Sequence, residues 1–176
     1  MSNSPIVKPI SDKQADKLAK EIFYKTKASV GQVPEWMRVM ANCSDTLKGF
    51  TALFHSLMDN APTDSLLKWK VAYVVSEINK CEYCSSVTKI KLQSFGEDEK
   101  SLAKIEQIST AEEKVAIEWA KAVTEHAYKI DEDLVKRMKR HFSDAQIVEI
   151  TSVIGLFNYI NRFNDALGVL PEVKLN

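Results

Sequence analysis

Glu77-Ile78-Asn79-Lys80-Cys81-Glu82-Tyr83-Cys84 is the stretch from which the rest of the chain is read. It places two cysteines with two residues between them at the end of an apolar run, Leu67, Val71, Val74, Val75 and Ile78, that repeats at helical spacing. Two such thiols can close a small disulfide ring and reopen it, and a thiolate at a helix N-terminus is stabilised by the helix dipole and free N–H groups. The same pattern is also half of a zinc site, so the surroundings decide between the two.

Outward from the pair, Val87, Thr88, Leu92 and Phe95 follow Cys84 on what reads as the inward face of a helix ending near Gly96. The dithiol is therefore expected at a helix-to-helix junction. If one helix ran through the junction, residues 77, 81, 84 and 88 would fall within a sector of about 60° at 100° per residue, so a carboxylate, two thiols and a hydroxyl would share a face.

The remaining segments are helical as well. Ser11 with Gln14 has the spacing of a capping box ahead of Ala15, Leu18, Ala19, Ile22 and Phe23; Gly31 and Pro34 mark a turn before Trp36, Met37 and Met40. Ser44 is placed to cap Leu47, Phe50, Leu53, Phe54, Leu57 and Met58, and Asn60-Ala61-Pro62 breaks the chain before Thr63 or Asp64 restarts it. A short charged helix is expected over residues 97–107, then helices opened by Thr110 with Glu113, by Asp131 and by Ser143 with Gln146, the last stopping at Gly168. No alternating strand pattern stands out, so the expected fold is all-α with about eight helices, in a single domain over residues 1–176 that begins with an extended arm over 1–10.

Lys plus Arg and Asp plus Glu both total 24 and are interspersed, which argues against a nucleic-acid or anionic-membrane partner. The first ten residues have no apolar run of the secretory kind and no later stretch reaches membrane-spanning length, so a cytoplasmic location is expected. In a reducing compartment, three cysteines serve as reactive or buried thiols rather than as a disulfide framework. No second ligand pair accompanies Cys81 and Cys84, because Cys43, His55, His126 and His141 are scattered singly, so neither a metal nor a cofactor is expected.

With that order in hand, Val74-Val75-Ser76-Glu77-Ile78-Asn79-Lys80-Cys81-Glu82-Tyr83-Cys84 resembles the S-x-x-N-x-C-x-Y-C core of the carboxymuconolactone decarboxylase superfamily, in its alkylhydroperoxidase D-like, peroxidase-related branch. The segment Ile154 to Gly168 is similar to the same family's C-terminal helix, and the resemblance extends from about Val33 to Pro171. It implies an all-helical fold, assembly into homo-oligomers such as trimers or hexamers, and reduction of hydroperoxides by a dithiol that a thiol or dithiol reductant restores. It also implies roles: Cys84 peroxidatic and Cys81 resolving.

The family's proton relay has a histidine four residues after the second cysteine and a glutamate twelve before the first. Here those positions hold Thr88 and Trp69, neither of which titrates near neutrality. Some members carry a glutamate four residues before the first cysteine, where Glu77 stands, which makes Glu77 the candidate general base and proton shuttle. Its plainer reading is a solvated residue or an ion pair with Lys80 or Lys70. His55 is a candidate spatial replacement for the absent histidine, and Thr88 a hydrogen-bond donor. Cys43 reads as an unpaired thiol, while Asn158, Asn161, Arg162 and Asp165 read as a polar side of the last helix serving packing or subunit contact rather than catalysis. Beside the thiol peroxidase stand two alternatives: a protein disulfide-exchange partner without peroxidase activity, and a helical oligomer whose redox role has decayed. Lactone decarboxylation is weakest, because that branch does not depend on the dithiol.

Overall fold

A computed structural model of the chain describes residues 5–59 and 62–171. Among these residues there are ten helices and no strand: α1 (Lys17–Val30), α2 (Glu35–Met40), α3 (Ser44–Met58), α4 (Ser65–Asn79), α5 (Glu82–Ser94), α6 (Glu99–Leu102), α7 (Ile105–Ile108), α8 (Ala111–His126), α9 (Glu132–His141) and α10 (Asp144–Leu167). Eight have six residues or more, the number expected, and α6 and α7 are single turns. The expected break at Asn60-Ala61-Pro62 lies outside the described residues at Asn60 and Ala61.

Helix α4 is the axis of the molecule. It packs against α10, α5 and α8, and its residues from Leu67 to Ser76 are buried on nearly every side, Tyr73 being the half-buried exception. That continuous burial explains why its sequence is apolar almost all round rather than striped. Helix α10 lies along it with Ile150, Val153, Ile154, Leu156, Phe157 and Ile160 buried. Two lysines enter this interior and both are neutralised there. Lys68 donates to the Leu57 carbonyl at 2.7 Å and pairs with Glu149 at 3.3 Å, while Glu149 also accepts the Thr63 N–H at 2.7 Å. Lys70 lies between Glu113 at 2.8 Å and Glu97 at 3.0 Å. Burial alone would pull the Lys70 ammonium down, but the two carboxylates outweigh it and hold it above its ordinary value.

Several helix ends fall where local chemistry put them. Thr110 with Glu113 and Ser143 with Gln146 form reciprocal capping boxes, Asp131 caps α9, and Gly168 ends α10 in the left-handed conformation at φ 70°. Three expectations are corrected. Ser11 and Gln14 do hydrogen-bond each other at 2.7 Å, but they close only a turn; α1 starts at Lys17 because the Asp16 carboxylate takes the Ala19 N–H at 2.8 Å and caps it there. The N-cap of α3 is Cys43 rather than Ser44. The charged segment over 97–107 is two turns instead of one helix, since Lys104 leaves helical backbone at ψ 23°.

Candidate active site

The junction is built by the backbone of Lys80, which adopts the left-handed conformation at φ 58°, ψ 30° and is the one non-glycine residue with positive φ among those described. Its N–H donates to the Glu77 carbonyl and the next N–H, of Cys81, donates to the Ser76 carbonyl, both at 3.1 Å. This pair of bonds is the Schellman closure of a helix, normally made with glycine. Helix α4 therefore stops, the chain turns, and Cys81 becomes the N-cap of α5, its sulfur accepting the Cys84 N–H at 3.4 Å. The single-helix arrangement expected for residues 77, 81, 84 and 88 does not form, because the turn at Lys80 separates Glu77 from both thiols.

Both sulfurs are buried, Cys81 fully and Cys84 to 4% exposure, and their Sγ atoms are 2.8 Å apart as unbonded thiols. A disulfide has a bond of about 2.05 Å, so closure needs an approach of less than about 1 Å. Cys81 is the donor in this contact and Cys84 the acceptor. The hydrogen bond from Cys81 holds the Cys84 thiol below its ordinary value against the opposing effect of burial, with help from the Asn161 and Asn164 amides. The same hydrogen bond, together with burial and the neighbouring charge, pushes the Cys81 thiol far up. The pair thus favours one thiolate, on Cys84 in the first turn of α5, where backbone N–H groups and the helix dipole add to its stability.

Helix α10 supplies the polar surroundings. Asn164 donates from Nδ2 to Cys84 Sγ at 3.3 Å. Asn161 donates to Ser76 Oγ at 3.2 Å, and Asn79, the last residue of α4, donates to Asn161 Oδ1 at 2.9 Å and to Asn158 Oδ1 at 3.0 Å. This network fastens the turn at Lys80 to α10. Asp165, exposed at the edge of the site, has its carboxyl raised by partial burial and opposed by a hydrogen bond with Cys81; its charge pushes both thiols upward.

The other candidates lie elsewhere. Glu77 is exposed, and with Tyr73, Lys80, Ser85 and Lys89 it lines an open surface groove of about 460 Å³; the Tyr73 hydroxyl is raised by its own burial and, to a smaller extent, by the Glu77 carboxylate. Lys70, one of its suggested ion-pair partners, is engaged with Glu97 and Glu113 instead. Thr88 is fully buried near the thiols, but its Oγ1 donates to the main-chain carbonyls of Cys84 at 2.7 Å and Ser85 at 3.1 Å, not to sulfur. His55 is exposed on α3, its Nδ1 paired with Asp59 at 2.7 Å. Trp69 packs between Phe54 and Phe157 with Lys91 over its ring. Cys43 is exposed and receives the Thr46 hydroxyl at 3.0 Å, which holds its thiol below the ordinary value. Among the described residues, no cluster of three or more His, Cys, Asp or Glu side chains could hold a metal ion, and no helix is long and apolar enough to cross a membrane.

Asn164 is the site residue that sequence reading missed; Asp165, named there only for packing or subunit contact, acts on both thiols through its charge. The signal was present: residues 157, 160, 161 and 164 share the inward face of α10, and an asparagine at two of those positions requires a polar partner in the core.

No family model matches the chain. It is 29% identical over 114 residues to YnjA, an uncharacterized protein of Escherichia coli K12, a match covering 62% of this chain and 63% of that one, and 25% identical over 141 residues to the uncharacterized YdfG of Bacillus subtilis 168, covering 77% and 88%. The chain thus matches less than two thirds of the length of the first relative. Among solved structures it superposes on an uncharacterized peroxidase-related protein from Silicibacter sp. TM1040 with a TM-score of 0.84 at 25% identity, over 98% of this chain and 96% of that one. It also superposes on an uncharacterized peroxidase-related protein with an alkylhydroperoxidase AhpD core, from Ralstonia eutropha JMP134, with a TM-score of 0.87 at 16% identity over 98% and 94%. The debrominase Bmp8, solved also in complex with 2,3,4-tribromopyrrole, gives a TM-score of 0.83 at 22% identity over 98% and 95%.

Proposed function

From the alkylhydroperoxidase D-like fold of the carboxymuconolactone decarboxylase superfamily, which this chain has, we propose that it is a thiol-dependent peroxidase working through Cys84 and Cys81. The observation that carries the reading is the 2.8 Å separation of two unbonded sulfurs whose surroundings favour a thiolate on Cys84 and a thiol on Cys81. The Cys84 thiolate attacks the hydroxyl-bearing oxygen of a hydroperoxide R–O–O–H. The O–O bond breaks, an S–O bond forms, and the alkoxide takes a proton from solvent water. Cys81 then attacks the sulfenic sulfur; the S–S bond forms and the oxygen leaves as water with the Cys81 proton. The sulfurs lose two electrons and the peroxide gains two. A thiol or dithiol reductant returns those electrons.

In this reading neither Glu77 nor His55 carries the proton, because the turn at Lys80 parts Glu77 from both thiols and His55 is exposed on α3 beside Asp59. The same reading takes the chain as one domain of a homo-oligomer in a reducing cytoplasm, and the exposed apolar side chains Val87, Ile90 and Phe95 of α5 and its C-cap support self-association. The burial of both sulfurs weighs against exchange with the disulfide of a folded protein, which needs an accessible sulfur.

The fold match to a debrominase supports a second reading, reductive dehalogenation of a small aromatic by the same dithiol. There an aryl carbon–halogen bond is replaced by carbon–hydrogen, halide leaves, and the sulfurs again supply two electrons as they join. Presenting the reduced protein separately with a hydroperoxide and with a brominated pyrrole tests both. Disulfide formation with the hydroperoxide is the result expected; halide release without peroxide turnover would transfer the site to the second reading.

A further inference from the structure

Asn164 is fully buried, and while its Nδ2 donates to Cys84 Sγ, its Oδ1 is buried and has no hydrogen-bond partner among the described residues. An acceptor shut away from water without a donor is costly and uncommon. Turning the amide over would not relieve it, because the carbonyl oxygen would then face the electron-rich sulfur that now receives an N–H. The two ends of an amide are about 2.2 Å apart, so Oδ1 lies at most about 5.5 Å from Cys84 Sγ, and an oxygen atom bonded to that sulfur, with its O–H···O hydrogen bond, reaches about 4.4 Å toward it.

We infer that Asn164 Oδ1 is the acceptor for the O–H of the oxygen atom transferred to Cys84, first in the hydroperoxide and then in the sulfenic acid. This rests on the peroxidase reading above. In the incoming R–O–O–H the hydroxyl donates to Oδ1, which sets the proton-bearing oxygen against the thiolate and the RO group away from it. After the O–O bond breaks, the same oxygen carries the same proton as Cys84–S–OH and keeps the same acceptor, so no donor has to be found as Cys81 approaches. The atoms and electrons are those of the step already written. The consequence is a substrate class: oxidants that carry an O–H on the oxygen to be transferred, hydroperoxides and hydrogen peroxide, over sulfur electrophiles that carry none.

The test compares two oxidants at one pH on the reduced full-length Cys43→Ser chain, which lacks the exposed third thiol: tert-butyl hydroperoxide, which offers the O–H, and methyl methanethiosulfonate, which reports the thiolate and offers none. Asn164→Leu removes both amide ends, and the ratio of the peroxide rate to the thiosulfonate rate is expected to fall about tenfold, the loss of one hydrogen bond in the transition state. Asn164→Asp keeps an oxygen acceptor and loses the Nδ2 donor, so both rates fall together and the ratio stays within about threefold of the parent. The Asp variant carries the test alone should the Leu variant fail to fold. An unchanged ratio in the Leu variant, or a ratio lost in the Asp variant, overturns the role of Asn164 while leaving a peroxidase. A parent protein that reacts with the thiosulfonate but not with the hydroperoxide overturns this inference together with the peroxidase reading.

Discussion

Asn164 donates its side-chain N–H to the Sγ of Cys84 at 3.3 Å, across eighty residues of sequence. This bond couples the last helix to the state of the thiol, and with the contact from Cys81 it makes Cys84 the sulfur of the pair that ionises first.

The alkylation rate of the reduced Cys43→Ser protein, which lacks the exposed third thiol, should therefore rise with pH as a single sigmoid assigned to Cys84. Its midpoint should lie below that of a model thiol, because the donors favour the charged form. Cys81, held up, should remain unreactive over the same range. Iodoacetamide kinetics with mass-spectrometric assignment of the alkylated residue checks this; alkylation of Cys81 ahead of Cys84 would reverse the roles.

Asp165→Asn removes a negative charge that pushes both thiols up. Alkylation of Cys84 below its midpoint should quicken, and peroxide attack below that midpoint should quicken with it, since both use the thiolate. Glu77→Gln should change neither, since Glu77 lies in the outer groove. A loss of turnover in Glu77→Gln, by stopped-flow kinetics, would restore Glu77 as a proton carrier.

Lys80 holds a left-handed backbone that costs a non-glycine residue about 1 kcal/mol. Lys80→Gly should raise stability by up to about that amount, part of it offset by glycine's greater unfolded-state freedom. Urea denaturation measures the difference, and a destabilised glycine variant would mean that the lysine side chain, not the backbone, holds the turn.

Lys70→Met leaves the Glu97 and Glu113 carboxylates against each other and should cost about 3 kcal/mol near neutral pH. The sign of its pH dependence follows from the shifts. The lysine sits above 10.5 in the fold, so its contribution is present below that value and fades as pH rises through the folded value. The two carboxyls sit below 4.5, so theirs is present above that value and fades as pH falls through the folded values. The stability gap between wild type and variant should be widest between these limits and narrow outside them, as thermal melts across pH would record; a constant gap would mean lost packing alone.

Much of this architecture could be read in the chain because its signals are local. Capping pairs at Thr110 with Glu113 and Ser143 with Gln146, the stop at Gly168 and the dithiol at a helix junction depend on residues three or four apart. The start of α1 was misread because Ser11 with Gln14 has the pattern of a capping box while Asp16, further on, competes for the same role and wins. The grouping of Glu77 with the thiols failed because a lysine, not a glycine, takes the left-handed position, and nothing in its side chain announces that. Asn164 escaped notice, and Asp165 was assigned to packing or subunit contact, because their meaning depends on α10 lying beside the α4–α5 junction, a tertiary fact that periodicity does not carry.

The most direct test is to count thiols in the reduced Cys43→Ser protein, which sets aside the exposed third cysteine, before and after one equivalent of hydroperoxide under anaerobic conditions. The thiol pair at 2.8 Å predicts that both remaining thiols disappear together into a Cys81–Cys84 disulfide, and that a further Cys84→Ser change leaves the Cys81 thiol intact. Persistence of both thiols, or loss of the Cys81 thiol in the absence of Cys84, would contradict it.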